Sequence, residues 1–315
     1  MTAEIDLGVV LPGGAGRPDL KLKNPLLAAS GTFGYGREYA DYFDPALLGG
    51  LVTKGLSLEP REGNPPPRIC ETAGGMLNSI GLANPGLERF LAEELPHLAG
   101  LDTCVVVNLY AEDEDDFAEL ARRLDGVQEI NALEINLSCP NVSGGGMAFG
   151  VDPEAVRRLT RVVRQQTEKP LWVKLTPNVS DPRPMAAAAQ AAGADAVSLI
   201  NTLLGMAIDA HSRRPRLGNI FGGLSGPAIK PVGLRMVYQV AREVDLPVIG
   251  MGGITSGQDV VEYLLAGAGA VQVGTAGLAD PAAWPRILAE LEDFCRQEGV
   301  ARVAELVGAL EAGRS

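Results

Sequence analysis

A cysteine stands in a chemically suggestive position within residues 134–146, which read EINLSCPNVSGGG. An apolar run ends at Asn136, and Cys139 follows three residues later, directly before Pro140 and a glycine-rich segment. A thiol has an ordinary pKa of about 8.5, so it accepts a proton near neutral pH more readily than a serine hydroxyl. A buried, inert cysteine is the common alternative. A position between a strand end and a loop that could close over a ligand favours a general base.

The remaining cysteines and the histidines carry no comparable signal. Cys70, Cys104 and Cys295 are far apart, and the chain contains no CxxC pair. We therefore expect no disulfide framework, zinc site or iron–sulfur cluster. His97 and His211 have no evident carboxylate partner in the sequence, so neither is assigned a catalytic role.

Short apolar runs rich in β-branched residues alternate with segments of helical period along the whole chain. The eight runs cover residues 25–30, 50–55, 104–110, 132–138, 171–176, 196–201, 247–253 and 270–275. This alternation is typical of a (β/α)8 TIM barrel, whose parallel strands are buried on both sides. No linker rich in Ser or Gly divides the chain, so we expect one domain over residues 1–315.

The intervals between the runs predict the elements that surround the barrel. Helices are predicted over residues 84–100, 152–166, 181–193, 256–269 and 280–294. Three of these segments begin with the dipeptide Asp-Pro. Residues 5–25 contain two strand-like pieces around a Gly/Pro turn and predict a hairpin that closes the bottom of the barrel. Residues 56–84, with three consecutive prolines, are too irregular for a helix and predict a functional loop.

Active sites of TIM barrels lie where the carboxyl ends of the strands meet the following loops. In this chain those ends carry Ser30, Lys54, Asn108, Asn136, Lys174, Asn201, Gly252 with Gly253, and Gly274 with Thr275. Polar residues are common where strands emerge into loops, but here every end carries a hydrogen-bonding side chain or a glycine. Burying two lysine ammonium groups in a barrel mouth costs free energy unless anions pair with them. The two lysines therefore indicate that the mouth binds a negatively charged group.

Glycine-rich turns follow the last two runs, over residues 250–259 and 274–281, and each leads toward a helix. TIM barrels commonly bind a phosphate at this place through backbone donors, although tight turns without a ligand are the alternative. Together with Lys174, the turns favour flavin mononucleotide (FMN) across the mouth, with the lysine beside the pyrimidine end of the flavin. The alternative role for Lys174 is that of a Schiff-base lysine in an aldolase.

Composition excludes several classes of function. The 315 residues are 46% hydrophobic, which is enough for a large core and excludes a disordered protein. The formal net charge of −12 and the lack of any Lys/Arg run argue against binding nucleic acid. The N-terminal residues resemble no signal peptide, and no apolar stretch is long enough to span a bilayer, so we expect a cytoplasmic protein without membrane contact.

Eight motifs occur in a fixed order along nearly the whole chain. They are ASGTFGYG (29–36), TKGLSLEPREGNPPPRICET (53–72), MLNSIGLANPG (76–86), NLSCPNV (136–142), VKLTPN (173–178), INT (200–202), GGLSGPAIKP (222–231) and GMGGITSGQD (250–259). In order and spacing this series resembles the family 1 dihydroorotate dehydrogenases. One departure is Ser79, where relatives carry alanine or a similar small residue.

The resemblance implies oxidation of dihydroorotate to orotate in pyrimidine biosynthesis, with Cys139 as the base and FMN as the cofactor. By resemblance, FMN contacts Ser30, Lys54, Gly55, Asn108, Asn136, Lys174, Ile200, Gly226, Gly252, Gly253, Gly274 and Thr275. The substrate contacts Lys54, Asn78, Ser79, Ile80, Gly81, Leu82, Asn136, Asn201 and Thr202. An asparagine offers a donor and an acceptor to a cyclic imide, and a lysine matches its carboxylate.

Relatives differ in the final electron acceptor, and residues 141–153 and 207–231 resemble the NAD-linked subclass B. The chain has neither a dinucleotide fingerprint nor a cysteine set for an iron–sulfur cluster. The resemblance therefore implies a partner subunit with FAD and a [2Fe–2S] cluster, in a heterotetramer with two copies of each chain. The cysteine base and the lack of an apolar N-terminal segment argue against the quinone-linked form.

Four other functions stay open at this point. A fumarate-dependent homodimer would need no partner subunit. A tRNA-dihydrouridine synthase also combines FMN, a barrel and a cysteine, but it should have a basic surface. A Schiff-base aldolase would form an adduct on Lys174 that borohydride traps. A non-catalytic scaffold would have no use for a ring of polar strand ends.

Overall fold

The computed structural model describes residues 5–14, 16–137 and 149–311. The chain enters through a hairpin of β1 (Val9–Leu11) and β2 (Leu20–Leu22), which pair antiparallel. Leu11 packs against Gly269, just before the last barrel strand. Asp195, just before the sixth barrel strand, accepts hydrogen bonds from the Gly14 N–H (2.8 Å) and from Arg17 Nε (2.8 Å). The predicted hairpin therefore closes the N-terminal end of the barrel.

Eight parallel strands form the closed barrel and follow one another around it in chain order. They are β3 (Leu26–Ala28), β4 (Gly50–Val52), β7 (Cys104–Leu109), β8 (Ala132–Asn136), β9 (Leu171–Lys174), β10 (Ala196–Leu199), β15 (Val248–Met251) and β16 (Ala270–Val273). Strand β16 pairs with β3 and closes the ring. Helices cover the outer surface and side chains fill the interior, which explains why the strands read as nearly continuous apolar runs. The TIM-barrel prediction is confirmed.

Helices surround the barrel, and each of the five predicted segments contains one. The helices are α1 (Leu87–Arg89), a π-helical turn (Phe90–Glu94) and α2 (Leu95–Leu98) in one continuous segment, then α3 (Glu114–Asp125), α4 (Pro153–Arg164), α5 (Arg183–Ala191), α6 (Lys230–Val240), α7 (Gly257–Leu265), α8 (Thr275–Ala279) and α9 (Ala283–Glu298). Short 3-10 turns cover Arg37–Tyr39, Pro45–Leu47, Phe149–Val151, Pro227–Ile229 and Val303–Leu306. Side chains of Asp113, Asp152 and Ser256 cap the N-termini of α3, α4 and α7. Within the described ranges, no helix combines the length and apolar character needed to cross a membrane.

A second, antiparallel sheet is built from the loops at the carboxyl end of the barrel. Its strands, in spatial order, are β11 (Leu203–Met206), β14 (Phe221–Ser225), β6 (Gly75–Asn78) and β5 (Ile69–Thr72), and a small hairpin of β12 (Ile208–Asp209) and β13 (Arg214–Pro215) extends the same loop. The prediction of an irregular loop over residues 56–84 was therefore wrong for residues 69–78. Asn78 pairs with Gly223 from a distant part of the chain, and such long-range pairing leaves no local sequence signal.

Candidate active site

A cavity of about 360 Å³ lies at the carboxyl end of the barrel strands, next to the antiparallel sheet. It collects almost every predicted site residue that the structure describes. These are Ser30, Lys54, Gly55, Asn78, Ser79, Ile80, Gly81, Leu82, Asn136, Lys174, Ile200, Asn201, Thr202, Gly226, Gly252, Gly253, Gly274 and Thr275. Asn108 is fully buried and does not line the cavity. Cys139 and the glycine-rich loop after it lie outside the described residues.

Lys174 occupies the end of β9 with only 5% of its surface exposed. Its ammonium nitrogen lies 3.8 Å from the carboxylate of Glu134, which is completely buried on the neighbouring strand β8. The sequence argument that a lysine here requires a bound anion therefore does not hold for Lys174, because the protein supplies a countercharge. Asn136 is the register partner of Lys174, so the two predicted site residues stand side by side at the strand ends.

Glu134 is the centre of a buried polar cluster beneath the cavity. Its Oε1 accepts a hydrogen bond from Asn108 Nδ2 (2.8 Å), and its Oε2 accepts bonds from Ser198 Oγ (2.7 Å) and Gln272 Nε2 (2.9 Å). Sequence reasoning missed Glu134, Ser198 and Gln272. Glu134 lies two residues before Asn136 and so points to the same side of its strand. A charged residue inside an apolar run, two positions before a predicted site residue, was therefore a sequence signal that pointed to Glu134.

Two acceptor atoms of this cluster have no donor in the part of the chain that the structure describes. Asn108 Oδ1 and Gln272 Oε1 are buried and make no hydrogen bond to any described residue. A buried acceptor left in this state is destabilising by about 1–3 kcal/mol. Gln272 lines the cavity, whereas Asn108 lies deeper. Of the two amides, it is therefore the one of Gln272 that an N–H group of a ligand in the cavity would pair with.

Glycines make a side-chain-free surface on the opposite part of the cavity. Gly226, Gly252 and Gly253 have φ values of +94°, +119° and +73°, which residues other than glycine rarely adopt. A Cβ atom on Gly253 would stand 2.8 Å from the carbonyl oxygen of Gly226, and one on Gly226 would stand 3.5 Å from Thr275. The predicted phosphate turns thus meet the backbone of Gly226 at the cavity wall, a surface of the kind that binds phosphate.

Residues 78–82 are held in place by Asn64, which the sequence reasoning did not single out. The Asn64 N–H donates to the carbonyl of Ile80 (2.9 Å), and its side-chain amide donates to the carbonyl of Ser79 (3.0 Å). Gly81 has φ +77°, and a Cβ atom there would stand 2.5 Å from the Asn64 nitrogen. Only glycine fits this position, so the segment has a defined path along the cavity.

Asn178 plays the same supporting part for the segment after β10. Its side-chain amide donates to the carbonyl of Thr202 (3.1 Å), and its Oδ1 accepts a bond from the Leu204 N–H (2.9 Å). These bonds fix the path of Asn201 and Thr202 beside the cavity. Asn178 was missed because a support of this kind depends on a loop that folds back from another strand.

The described lining of the cavity contains basic side chains, although the protein as a whole is acidic. The chain as a whole has a formal net charge of −12. Lys54, Lys174 and Arg61 line the cavity, and its described lining contains no aspartate or glutamate. Arg61 pairs with Glu112 at 2.8 Å. Glu134 and Glu112 offset the charges of Lys174 and Arg61, so Lys54 is the lining residue best suited to bind a small anion.

Comparison with known proteins supplies the family. A family model described as dihydroorotate dehydrogenase matches residues 17–295. The chain belongs to the dihydroorotate dehydrogenase family. The protein named "Dihydroorotate dehydrogenase B (NAD(+)), catalytic subunit" from Pelobacter propionicus is 58% identical over 292 residues, which cover 93% of this chain and 96% of that protein. A protein of the same name from Geotalea daltonii is 54% identical over 309 residues, covering 98% of this chain and 99% of its own length.

A solved dihydroorotate dehydrogenase structure shares the fold of this family member. The structure of the Eimeria tenella enzyme in complex with ferulenol superimposes with a TM-score of 0.77 and covers 96% of this chain and 88% of the solved chain. The two sequences are 23% identical, so this likeness concerns the fold alone. The resemblance predicted from the eight motifs is confirmed, including the NAD-linked subclass that appears in the names of the bacterial relatives.

The described cysteines of this dehydrogenase family member are all buried. Burial raises the pKa of the Cys104 thiol to about 12 and also raises the pKa of Cys295 above its ordinary value. A thiol with a raised pKa is a poor thiolate and a poor base at neutral pH. Cys104 and Cys295 are therefore suited to packing, as the sequence predicted for them.

Proposed function

We propose that this protein is the catalytic subunit of an NAD-linked dihydroorotate dehydrogenase, which oxidises dihydroorotate to orotate in pyrimidine biosynthesis. The observation that carries the proposal is 58% identity, over 93% of the chain, to a relative named as the catalytic subunit of dihydroorotate dehydrogenase B. Lys54 and the glycine backbone of the cavity lining, which suit an anionic substrate and a phosphate, support it.

The cofactor that we assign to the cavity is FMN. When bound, FMN supplies the acceptor for the hydride that leaves the substrate. The glycine backbone at Gly226, Gly252 and Gly253, with Thr275 beside it, would hold the phosphate. The polar floor with Lys174 would hold the pyrimidine end of the ring system, where an ammonium group favours negative charge. The remaining contacts are those predicted from the sequence, Ser30, Lys54, Gly55, Asn108, Asn136, Ile200 and Gly274.

The substrate has the chemistry that the other lining residues recognise. Dihydroorotate is a cyclic imide with a carboxylate, and asparagine side chains offer both donors and acceptors to such a ring. We assign Asn78, Asn136 and Asn201 to the ring and Lys54 to the carboxylate. Residues 79–82 and Thr202 would complete the contacts. Cys139 would take the proton from the ring carbon next to the carbonyl.

We assign the transfer of electrons to NAD to a second subunit. The sequence lacks a dinucleotide fingerprint and a cysteine set for an iron–sulfur cluster. A partner with FAD and a [2Fe–2S] cluster, in a heterotetramer with two copies of each chain, would supply both. The alternatives are a fumarate-dependent homodimer and a tRNA-dihydrouridine-synthase-like enzyme, and the net charge of −12 argues against the latter.

The visible spectrum and steady-state assays of the purified chain test these assignments. The protein should bind one FMN per chain, and dihydroorotate should bleach the flavin absorbance. The isolated chain should turn over with artificial acceptors but not with NAD. Protein that stays colourless after incubation with FMN would contradict the cofactor assignment. Fast turnover with fumarate as sole acceptor would instead favour the homodimer.

A further inference from the structure

We propose that Glu134 is a positioning residue of the flavin site. Its carboxylate sets the orientation of the Asn108 and Gln272 amides, so that the cavity floor accepts the N–H of a flavin pyrimidine ring. The same carboxylate holds Lys174 and partly offsets its positive charge beside that ring. This inference rests on the proposed FMN function. Neither the motifs nor the contacts implied by family resemblance include Glu134.

Glu134 connects strands from both sides of the barrel. It lies on β8, whereas Gln272 lies on β16, and three strands separate these two in either direction around the ring. Ser198 lies on β10 and Asn108 on β7, so the carboxylate ties together four strands at one level of the interior. Glu134 has no exposed surface, and its position is fixed by these bonds. A buried carboxylate whose position is fixed by hydrogen bonds can fix the orientation of the side chains that bond to it, and so shape a binding site.

The direction of each amide follows from the charge on Glu134. An ionised carboxylate only accepts hydrogen bonds, so Asn108 and Gln272 must each turn their NH2 group toward it. Their carbonyl oxygens then point away, and these are the two buried oxygens without a donor among the described residues. A flavin pyrimidine ring carries an N–H between two carbonyl groups. Gln272 lines the cavity, and its buried oxygen is an acceptor of the kind that such an N–H requires.

The same carboxylate moderates the positive charge of Lys174. The two groups are 3.8 Å apart, and both side chains are almost completely buried, where charges interact more strongly than in water. An ammonium group near the pyrimidine ring stabilises the anionic reduced flavin, and a carboxylate behind it weakens that effect. Removal of the negative charge should therefore make the midpoint potential of bound FMN more positive.

The substitution Glu134→Gln tests the inference, because it keeps the shape of the side chain and removes its charge. A neutral amide can donate as well as accept, so Asn108 and Gln272 would no longer be forced into one orientation. The affinity of the apoprotein for FMN, measured by quenching of flavin fluorescence, should fall by about tenfold, the scale of one hydrogen bond. The midpoint potential should rise by about 30 mV, which corresponds to tenfold for a two-electron couple.

Asp195→Asn is the matched control. Asp195 is also a buried carboxylate that accepts several hydrogen bonds, but it lies at the opposite, N-terminal end of the barrel. The substitution Asp195→Asn should lower the stability of the protein and leave both the FMN affinity and the midpoint potential of bound FMN unchanged. If Glu134→Gln does not fold, Gln272→Met decides the matter. Methionine keeps the length of the side chain and removes the acceptor oxygen, so FMN should again bind about tenfold more weakly.

The outcomes separate this inference from the function on which it rests. If the wild-type protein neither binds FMN nor reduces it with dihydroorotate, the proposed function fails and the inference fails with it. If the wild type does both, but Glu134→Gln, or Gln272→Met in its place, keeps the wild-type affinity and potential, only the inference is overturned. A loss of stability without either change would show that Glu134 is purely structural.

Discussion

The side-chain amide of Asn201 donates a hydrogen bond of 3.4 Å to Oδ1 of Asn136. Asn136 ends β8 and Asn201 follows β10, so the pair bridges β9, the strand that carries Lys174. Both asparagines line the cavity. The bond fixes the orientation of one amide against the other, and together they present donors and acceptors on one side of the cavity. This arrangement matches a cyclic imide better than it matches an apolar ligand.

Asn201→Ala should reduce kcat/KM for dihydroorotate by at least about tenfold, because it removes a ring contact and the hydrogen bond to Asn136. The affinity for FMN should change much less. Steady-state kinetics and FMN titration measure the two effects separately. Asn131→Ala is the control, since Asn131 is an amide at the N-terminal end of the barrel that bonds the Val105 N–H at 2.7 Å. An Asn201→Ala enzyme with wild-type kcat/KM would refute the substrate contact.

Cys139→Ala should slow the reduction of bound flavin by dihydroorotate by at least about a hundredfold at neutral pH, the scale expected for loss of a general base. Cys139→Ser should recover part of the rate at high pH, because a hydroxyl loses its proton less readily than a thiol. Single-turnover measurements follow the flavin absorbance directly. Cys295→Ala, at a buried position of α9 that does not line the cavity, should keep the wild-type rate. A Cys139→Ala variant that did the same would exclude the proposed base.

Asp195 anchors the N-terminal hairpin to the barrel, and its loss should affect stability rather than chemistry. Its carboxylate pairs with Arg17 at 2.7 Å and with Arg164 at 2.9 Å, and it is 2% exposed. Asp195→Ala leaves two arginines without their buried partner and should lower the free energy of unfolding by about 3–5 kcal/mol. Urea unfolding measures the change. Asp102→Ala, which removes the exposed pair with Lys23, should have no comparable effect.

The sequence was sufficient for the barrel because buried parallel strands and capped helices leave strong local patterns. Runs such as residues 104–110 are apolar except for Asn108, and Asp-Pro marks the start of α4. The sheet at the carboxyl end was not predicted, because β6, which forms a hairpin with β5, pairs with β14 across a long stretch of chain. Glycine-rich strands such as Phe221–Ser225 also have low strand propensity, so tertiary pairing decides their structure.

The site residues at the strand ends could be predicted from the sequence, whereas the buried polar residues one layer below them could not. Topology brings the last residues of all barrel strands to one face, so residues as far apart as Ser30 and Thr275 could be grouped from sequence. Glu134, Ser198 and Gln272 lie one layer deeper, where a polar residue in an apolar strand shows its role only when partners across the barrel are known. Asn64 and Asn178 support other segments through loop contacts that sequence spacing does not encode.

The predicted phosphate turn of the cavity should lose stability in acid through Asp259. Its carboxylate accepts hydrogen bonds from Lys230 and from the N–H groups of Thr255 (2.8 Å) and Ser256 (3.0 Å), directly after Gly252 and Gly253. Burial acts to raise the pKa of Asp259, but the bonds from Lys230 and Thr255 outweigh it and hold this pKa below its ordinary value.

A carboxyl group whose pKa is lower in the folded state contributes stability above its unfolded pKa of about 3.9, and loses it as the pH falls through the folded value. Asp259→Asn should therefore unfold more easily than the wild type at pH 7. The difference in unfolding free energy should shrink as the pH falls below about 4, because protonation then removes the same charge from the wild type. Urea unfolding of both proteins between neutral and acidic pH measures this difference. A difference that stayed constant over that range would show that the Asp259 charge does not stabilise the turn.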